Sequence, residues 1–465
     1  MSYQEHPDWA DENIILSLQV ETKSGVEEIT KSAYELTPGI TPFQVEPRRE
    51  NTSREGQMSS DGFRLAIIGT GGIARRHVRA LAELKSKGLD DFAVTAVCDV
   101  NEEAAQGIAQ DLAERFGLRP AIYTDYQELL SNEQIDGADL CLPHGLHHVV
   151  AIDCMESGVH VLCEKPLGIT IKASRKMAET ADRTGCVLST AVPFRRLPSQ
   201  RTVHWIFNES KLIGEPLTFF HQYARPPRRQ RRPADQPLPP AMVWRRDRLM
   251  SGGGPVMDSG FHYCDSMRYL LGDVEKVYAE ARGLSSGSPK MFTEVGEDTV
   301  FATLSFKNGV VGTWSWGVAP GESFLNVIFY GSQGSLRDTP GNIYHLFWQH
   351  RPLVQFGRLT KEDGTELSLE QLEEMYLEAL SEEEKEFFFP HGVRNGFEFE
   401  IWEFMEAVRG RREKVEVDGW EGLRSLAVCE TIYESAFTGE VVRVDDVISG
   451  KRGAYQAAID EHWGL

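Results

Sequence analysis

The feature that most constrains this chain is an apolar run, Phe63-Arg64-Leu65-Ala66-Ile67-Ile68, ending in Gly69-Thr70-Gly71-Gly72-Ile73-Ala74. A run of this length bounded by glycine reads as a buried strand, and the Gly-x-Gly-x-x-Ala pattern opens a helix directly from it. Gly69 permits the tight turn, Gly71 lets backbone approach a phosphate, and Ala74 is small enough for the helix to lie on its strand. Such a turn, with Gly72 and Ile73 completing it, offers bare N–H groups to a pyrophosphate. The next strand, starting at Phe92, ends at Asp99. A carboxylate there accepts hydrogen bonds from ribose hydroxyls and repels a 2′-phosphate, so the expected cofactor is NAD rather than NADP.

The alternation continues. Strands are expected at 65–69, 93–98, 138–142, 159–163 and 187–192, with helices near 73–86, 101–116, 146–157 and 170–184. This is the pattern of a doubly wound parallel sheet, an α/β Rossmann fold. One of these strands, Val159-His160-Val161-Leu162-Cys163, runs into Glu164-Lys165-Pro166. A lysine at that point stands at the carboxyl edge of the sheet, where ligands of doubly wound folds bind. Its ammonium can hydrogen-bond a substrate hydroxyl and help the proton depart.

After Val192 the period changes. A helix near 198–211 and another through 257–271 are followed by strands with two-residue alternation at 274–282, 298–306, 309–317 and 323–330. Asn308-Gly309 is a hairpin signal, and helices at 395–409 and 420–437 close the pattern. This predicts an α+β domain with a largely antiparallel open sheet, packed on the helices at 257–271 and 395–409. Its second face also carries large apolar side chains, Phe301 and Val311 among them. Residues 360–390, with Glu382-Glu383-Glu384, read as a solvated insertion. The expected division is an N-terminal extension at 1–61, a nucleotide-binding domain at 62–192 and a substrate domain at 193–465.

The third chemical element is Gly252-Gly253-Gly254 leading into Asp258, His262 and Asp265. Asp258 and His262 are four apart, one turn from each other on a helix face. An imidazole oriented by a carboxylate can take a proton from an alcohol, and the glycines before it would let a ligand come close. Asp265 reads better as a capping or salt-bridge residue. Just upstream, Trp244 and Arg245 offer a stacking face and a hydrogen-bonding fork to a sugar, or a core tryptophan with a surface arginine.

Bulk properties narrow the classes. At 465 residues two cores are expected. A formal charge of -21 excludes nucleic acid as the main partner, because phosphate contacts need clustered cations. The Arg/Pro-rich loop 225–240 is the basic exception, either solvated or serving as a lid or subunit contact. No apolar run approaches a membrane span and no signal-peptide pattern opens the chain, so a cytoplasmic protein is expected. Seven scattered cysteines without a Cys-x-x-Cys pair indicate buried, reduced thiols, and no histidine–cysteine cluster has zinc spacing, so no metal is expected. The acidic segment 1–61 has Pro38, Pro42 and Pro47 and one strand-like stretch at 14–20. It reads as a mobile extension or as an arm over a partner subunit, with Met58 as an alternative start.

From Arg64 to about Val444 the chain resembles the Gfo/Idh/MocA oxidoreductases, the group of glucose–fructose oxidoreductase and inositol dehydrogenase. The glycine turn, Glu164-Lys165-Pro166 and the Gly252–Asp265 segment carry the resemblance, in that order and spacing. It implies catalytic roles for Lys165, Asp258 and His262. It also implies cofactor contacts from Glu164 and Lys165, and from Pro143 and His147 in the loop after the fourth strand, where His144 replaces a more usual Asn or Thr. The expected activity is NAD-dependent oxidation of a secondary hydroxyl in a sugar, cyclitol or glycoside, in a homodimer or homotetramer joined through the C-terminal sheet. Two rivals stand beside it. One is a glycoside-cleaving enzyme that uses NAD in a transient oxidation–elimination cycle. The other is a non-catalytic NAD-binding sensor.

Overall fold

The computed structural model describes residues 19–22, 25–28, 62–225, 243–283, 296–318, 323–338 and 357–465. Most of the N-terminal extension and nearly all of the Arg/Pro-rich loop lie outside the described residues. Within the extension, β1 (Gln19–Thr22) and β2 (Gly25–Glu28) pair as an antiparallel hairpin.

Six strands form a parallel sheet: β3 (Phe63–Ile68), β4 (Phe92–Cys98), β5 (Ala121–Tyr123), β6 (Gly137–Leu140), β7 (His160–Glu164) and β8 (Leu188–Ala191). Their order is β5-β4-β3-β6-β7-β8, so the chain reverses direction across the sheet between β3 and β6. Doubly wound folds bind ligands in the crevice at that switch point. The connecting helices are α1 (Gly72–Ser86), α2 (Glu102–Phe116), α3 (Tyr126–Asn132), α4 (His147–Glu156) and α5 (Ile171–Thr184). Side-chain caps and left-handed glycines bound two of them: Asn101 and Gly117 on α2, Thr170 and Gly185 on α5. The sequence reading missed β5 and α3. Ala121–Tyr123 is three residues long and not fully buried, too short for a clear period.

The second sheet has nine strands. They are β9 (Pro216–Arg225), β10 (Val274–Arg282), β11 (Thr299–Phe306), β12 (Val311–Val318), β13 (Phe324–Gly331), β14 (Gly334–Asp338), β15 (Gly357–Lys361), β16 (Glu366–Ser368) and β17 (Val442–Arg443). The order is β16-β15-β14-β13-β9-β12-β11-β10-β17, antiparallel except for the parallel β9–β12 pair. Phe219, Val277, Leu304, Trp314, Val327 and Phe329 point to one face and are buried. They pack against α6 (Pro198–Asn208), α7 (Ser259–Leu271) and a long helix at Gly419–Thr438. On the other face Phe220, Tyr278, Phe301, Val311 and Tyr330 are exposed, Phe301 at 60%.

Two expectations are corrected here. Residues 360–390 are not a solvated insertion. They extend the sheet through β15 and β16, then form α8 (Leu369–Ala379) and α9 (Glu382–Phe388), with Leu372 and Tyr376 buried and Tyr376 against Trp205. The acidic run itself is exposed, at the first turn of α9. The helix expected at 395–409, α10 (Gly396–Val408), does not cover the nine-stranded sheet. Its Phe399, Ile401, Phe404 and Met405 complete the core of the six-stranded one, with Phe63, Leu65, Ile67, Val78 and Leu81. Gly137 makes this possible, since a Cβ there would lie 2.8 Å from the Phe404 ring. The helix at Gly419–Thr438, α11, bridges both units, packing on β10 and on α5.

Candidate active site

The glycine turn sits at the switch point. Gly69 has φ of +90°, and a Cβ there would meet the Cys141 carbonyl oxygen at 2.3 Å, so the loops after β3 and β6 touch through glycine alone. Gly71 and Gly72 are exposed, and a Cβ on either would meet nothing within 4 Å. Helix α1 starts here with no side-chain cap and no acidic residue in its first turn. Its N-terminal N–H groups therefore face open space with the dipole's positive end outward, the environment a pyrophosphate needs. Ile73 is half-buried, and Ala74 is fully buried beneath the turn.

Asp99 lies beside that turn. Its Oδ2 accepts from the Thr70 N–H at 2.8 Å and the Thr70 hydroxyl at 2.9 Å, and its Oδ1 accepts from the Asn101 N–H at 2.9 Å. The carboxylate is thus held between β3 and β4, next to the bare helix end. The uncapped helix end and the fixed carboxylate beside it are a set of donors and acceptors that fits a dinucleotide.

At the end of β7 the Lys165 side chain is 8% exposed. Its Nζ donates to Asp258 Oδ1 at 2.7 Å and to the Asp258 carbonyl at 3.1 Å. Asp258 is the residue before α7, and its Oδ2 is 3.3 Å from Arg245 Nε. Burial works against ionising Asp258, but Lys165 and Arg245 outweigh it and hold the carboxyl well below its usual range. The Arg245 guanidinium in turn stacks over Trp244 at 4.2 Å, and Trp244 meets the His144 ring edge-on at 4.7 Å. Lys165, Asp258, Arg245, Trp244 and His144 therefore form one cluster.

This corrects the expected Asp258–His262 pair. Asp258 has φ and ψ of -81° and -81° and precedes the helix, so its carboxylate turns to Lys165 and Arg245. His262 is buried one turn on, with its ring stacked on Phe194 at 4.5 Å. Asp265 forms a buried ion pair with Arg195 and accepts from the Ser425 hydroxyl.

The loop after β6 is corrected in part. Pro143 is half-buried at its start. His147 is fully buried behind it, with Nδ1 2.8 Å from the Pro166 carbonyl and Nε2 2.9 Å from the Leu142 carbonyl. It sits between the two loops, with a carbonyl oxygen at each ring nitrogen. Burial pushes its imidazole below the usual range. His144 lies nearer the chemistry, and its Nδ1 is 2.8 Å from the Ser251 carbonyl. A carbonyl only accepts, so Nδ1 carries the proton and burial keeps the ring neutral, well below the ordinary imidazole range.

The glycine run is also explained differently. A Cβ on Gly253 would lie 2.2 Å from the Tyr433 hydroxyl, and one on Gly254 would lie 2.7 Å from the Glu297 carboxylate. These glycines admit protein, not ligand. Buried Glu297 accepts from the Gly254 N–H at 3.0 Å, the Val256 N–H at 2.8 Å and the Tyr433 hydroxyl at 2.9 Å. That clasp sets the backbone that delivers Asp258. Sequence reasoning missed Glu297 and Tyr433, which lie 43 and 176 residues from their turn partners.

Residues 63–192 match the oxidoreductase family's NAD-binding Rossmann fold, and residues 209–444 match its C-terminal alpha/beta domain. D-glucoside 3-dehydrogenase of Escherichia coli (strain K12) is 29% identical over 301 residues, covering 62% of this chain and 80% of that protein. 1,5-Anhydro-D-fructose reductase of Ensifer adhaerens is 26% identical over 82% of this chain and 98% of its own length. A solved levoglucosan dehydrogenase in complex with NADH shares the fold at a TM-score of 0.63 and 20% identity, covering 82% of this chain and 99% of that one. With the match running from the glycine turn to the last strand of the second sheet, this chain belongs to the Gfo/Idh/MocA oxidoreductase family and carries its NAD-binding domain.

Proposed function

We propose that the protein is a dehydrogenase that oxidises a secondary hydroxyl of a sugar, cyclitol or glycoside with NAD. The observation that carries this reading is the Lys165–Asp258 pair, held at the carboxyl end of β7 on the edge that also bears the glycine turn. The relatives named above as dehydrogenase and reductase of glucoside and anhydrofructose support the substrate class.

Bound NAD supplies the hydride acceptor. The chain supplies position and proton handling. Asp258 holds the Lys165 ammonium in place, and Lys165 polarises the hydroxyl oxygen as its proton leaves. His262, one turn along α7, takes that proton. Arg245 and Trp244 bind the ring of the substrate, the guanidinium by hydrogen bonds and the indole by its face. His144, neutral and fixed in one tautomer, offers an acceptor nitrogen beside them.

The test is a panel of sugars, cyclitols and glycosides with NAD, following NADH absorbance and product mass together. Stoichiometric NADH and a product two mass units lighter are expected. Cleavage of a glycoside without net NADH would point instead to a transient oxidation–elimination cycle, and NAD binding without turnover on any member to a sensor.

We further propose that copies of the chain associate through the open face of the nine-stranded sheet. Exposed apolar side chains clustered on one face usually mark an interface, and Phe220, Tyr278, Phe301, Val311 and Tyr330 lie on one here.

A further inference from the structure

Beneath the glycine turn lies a group of buried ionisable side chains that the proposed chemistry does not use. His77, on α1, is fully buried. Its Nδ1 is 2.8 Å from Asp139 Oδ2 on β6, and its Nε2 is 3.2 Å from Glu164 Oε1 on β7. The Cys141 thiol donates to Asp139 Oδ1 at 3.6 Å, and Glu164 Oε2 accepts the Lys165 main-chain N–H at 3.1 Å. The Glu400 carboxyl on α10, raised well above its ordinary range by burial, and the Arg76 guanidinium on α1 are further titratable neighbours, facing His77 and Glu164 respectively, and the Phe397 ring closes one side at 5.9 Å.

Carboxylates accept and do not donate, so a ring with one on each nitrogen is satisfied when both nitrogens carry protons. An imidazolium between two carboxylates is also the arrangement that offsets the cost of burying them. Burial alone opposes the charge, but Asp139 reverses this and His77 lies well above the ordinary imidazole range.

We propose that His77 is a positioning residue: as an imidazolium it clamps Glu164 to Asp139, and through the Glu164–Lys165 backbone it fixes the amine that meets Asp258. The clamp joins three elements at the switch point. Helix α1 carries the pyrophosphate turn at its start and His77 in its second turn, so the element that holds the cofactor also orients the strand end that presents Lys165. The inference rests on the reading of Lys165 as the group that touches substrate, but the geometry it predicts can be measured without turnover.

The experiment is amine labelling with trinitrobenzenesulfonate, read for Lys165 by peptide mass, in the full chain and in His77→Leu and His77→Gln. In His77→Leu the Lys165 labelling rate should rise about 10-fold or more, and kcat should fall about 10–100-fold, as expected for a displaced reacting group. KM for the sugar and the affinity for NAD should stay nearly unchanged. His77→Gln retains a donor and should recover much of both. Unchanged Lys165 labelling in folded His77→Leu overturns the proposal. If that variant does not fold, nitrogen NMR of the histidines in the unaltered protein decides: a doubly protonated His77 through about pH 8 supports the clamp, and a neutral ring overturns it. Stoichiometric zinc lost on Asp139→Asn would also overturn it, by making His77 a ligand alongside Asp139 and Cys141. An unaltered protein that oxidises no sugar would refute the dehydrogenase reading and leave the labelling result standing.

Discussion

Asp99 accepts main-chain N–H groups on both of its oxygens, from Thr70 and Asn101, so its charge is fixed beside the pyrophosphate turn rather than swinging in water. A 2′-phosphate brought to that point meets a rigid negative charge. Binding measured with both cofactors should therefore favour NAD strongly, and Asp99→Ser should narrow the gap; equal affinities in the unaltered protein would remove the assignment. Lys165→Ala and His262→Ala should each lower kcat by about 10²–10⁴ with cofactor affinity nearly kept, the range for general acid–base groups. Normal turnover in either variant would end its assigned role. Asp258 makes a prediction about pH. Its pKa is depressed in the folded protein, so the stability it contributes is complete above the unfolded value of about 3.9 and is lost as pH falls through the lower folded value. Urea midpoints of Asp258→Asn and the unaltered protein should differ at pH 7 and converge in strong acid. A gap that stayed constant with pH would show that Asp258 does not stabilise as an anion.

At the scale of single elements, the turn before α7 shows what a sequence can disclose and what it cannot. Three consecutive glycines were legible as a turn, but not what they make room for, because Tyr433 and Glu297 arrive from α11 and from the residues just before β11. Gly253→Ala should therefore destabilise the fold by about 1–3 kcal/mol, the cost of overpacking a filled site, with a lower melting temperature even when no ligand is present. A variant as stable as the parent would restore the idea that this space belongs to ligand. The strands of the first sheet were legible for the opposite reason. Buried on both faces, β3, β4 and β7 read as continuous apolar runs, and their ends fall at Gly69, Asp99 and Lys165. The partner of Asp258 was not, since i and i+4 spacing describes a helix and Asp258 stands just outside one. His77 and Asp139 each look like an ordinary residue in a helix and a strand, and only the parallel pairing of β3, β6 and β7 brings them together.

Among the described residues, the nine-stranded sheet has one covered and one open face. Light scattering at micromolar concentration should return a dimer or tetramer. Phe301→Glu should shift it towards monomer, because Phe301 is the most exposed of the open-face aromatics and would place a charge in the seam. A monomer in the unaltered protein would rule out sheet-to-sheet pairing. Helix α10 has a consequence of another kind. It fills the core of the first sheet from more than two hundred residues downstream, and the segment after it bridges back, with Asp418 paired to Ser189 of β8. During synthesis the nucleotide-binding half therefore leaves the ribosome with Phe63 and Gly137 uncovered, and at about 5–20 residues per second roughly 10–40 s pass before Phe404 emerges to seal them. For that interval the nascent chain carries an uncovered apolar groove, which makes this half a natural client for a chaperone and its isolated expression a recipe for aggregation.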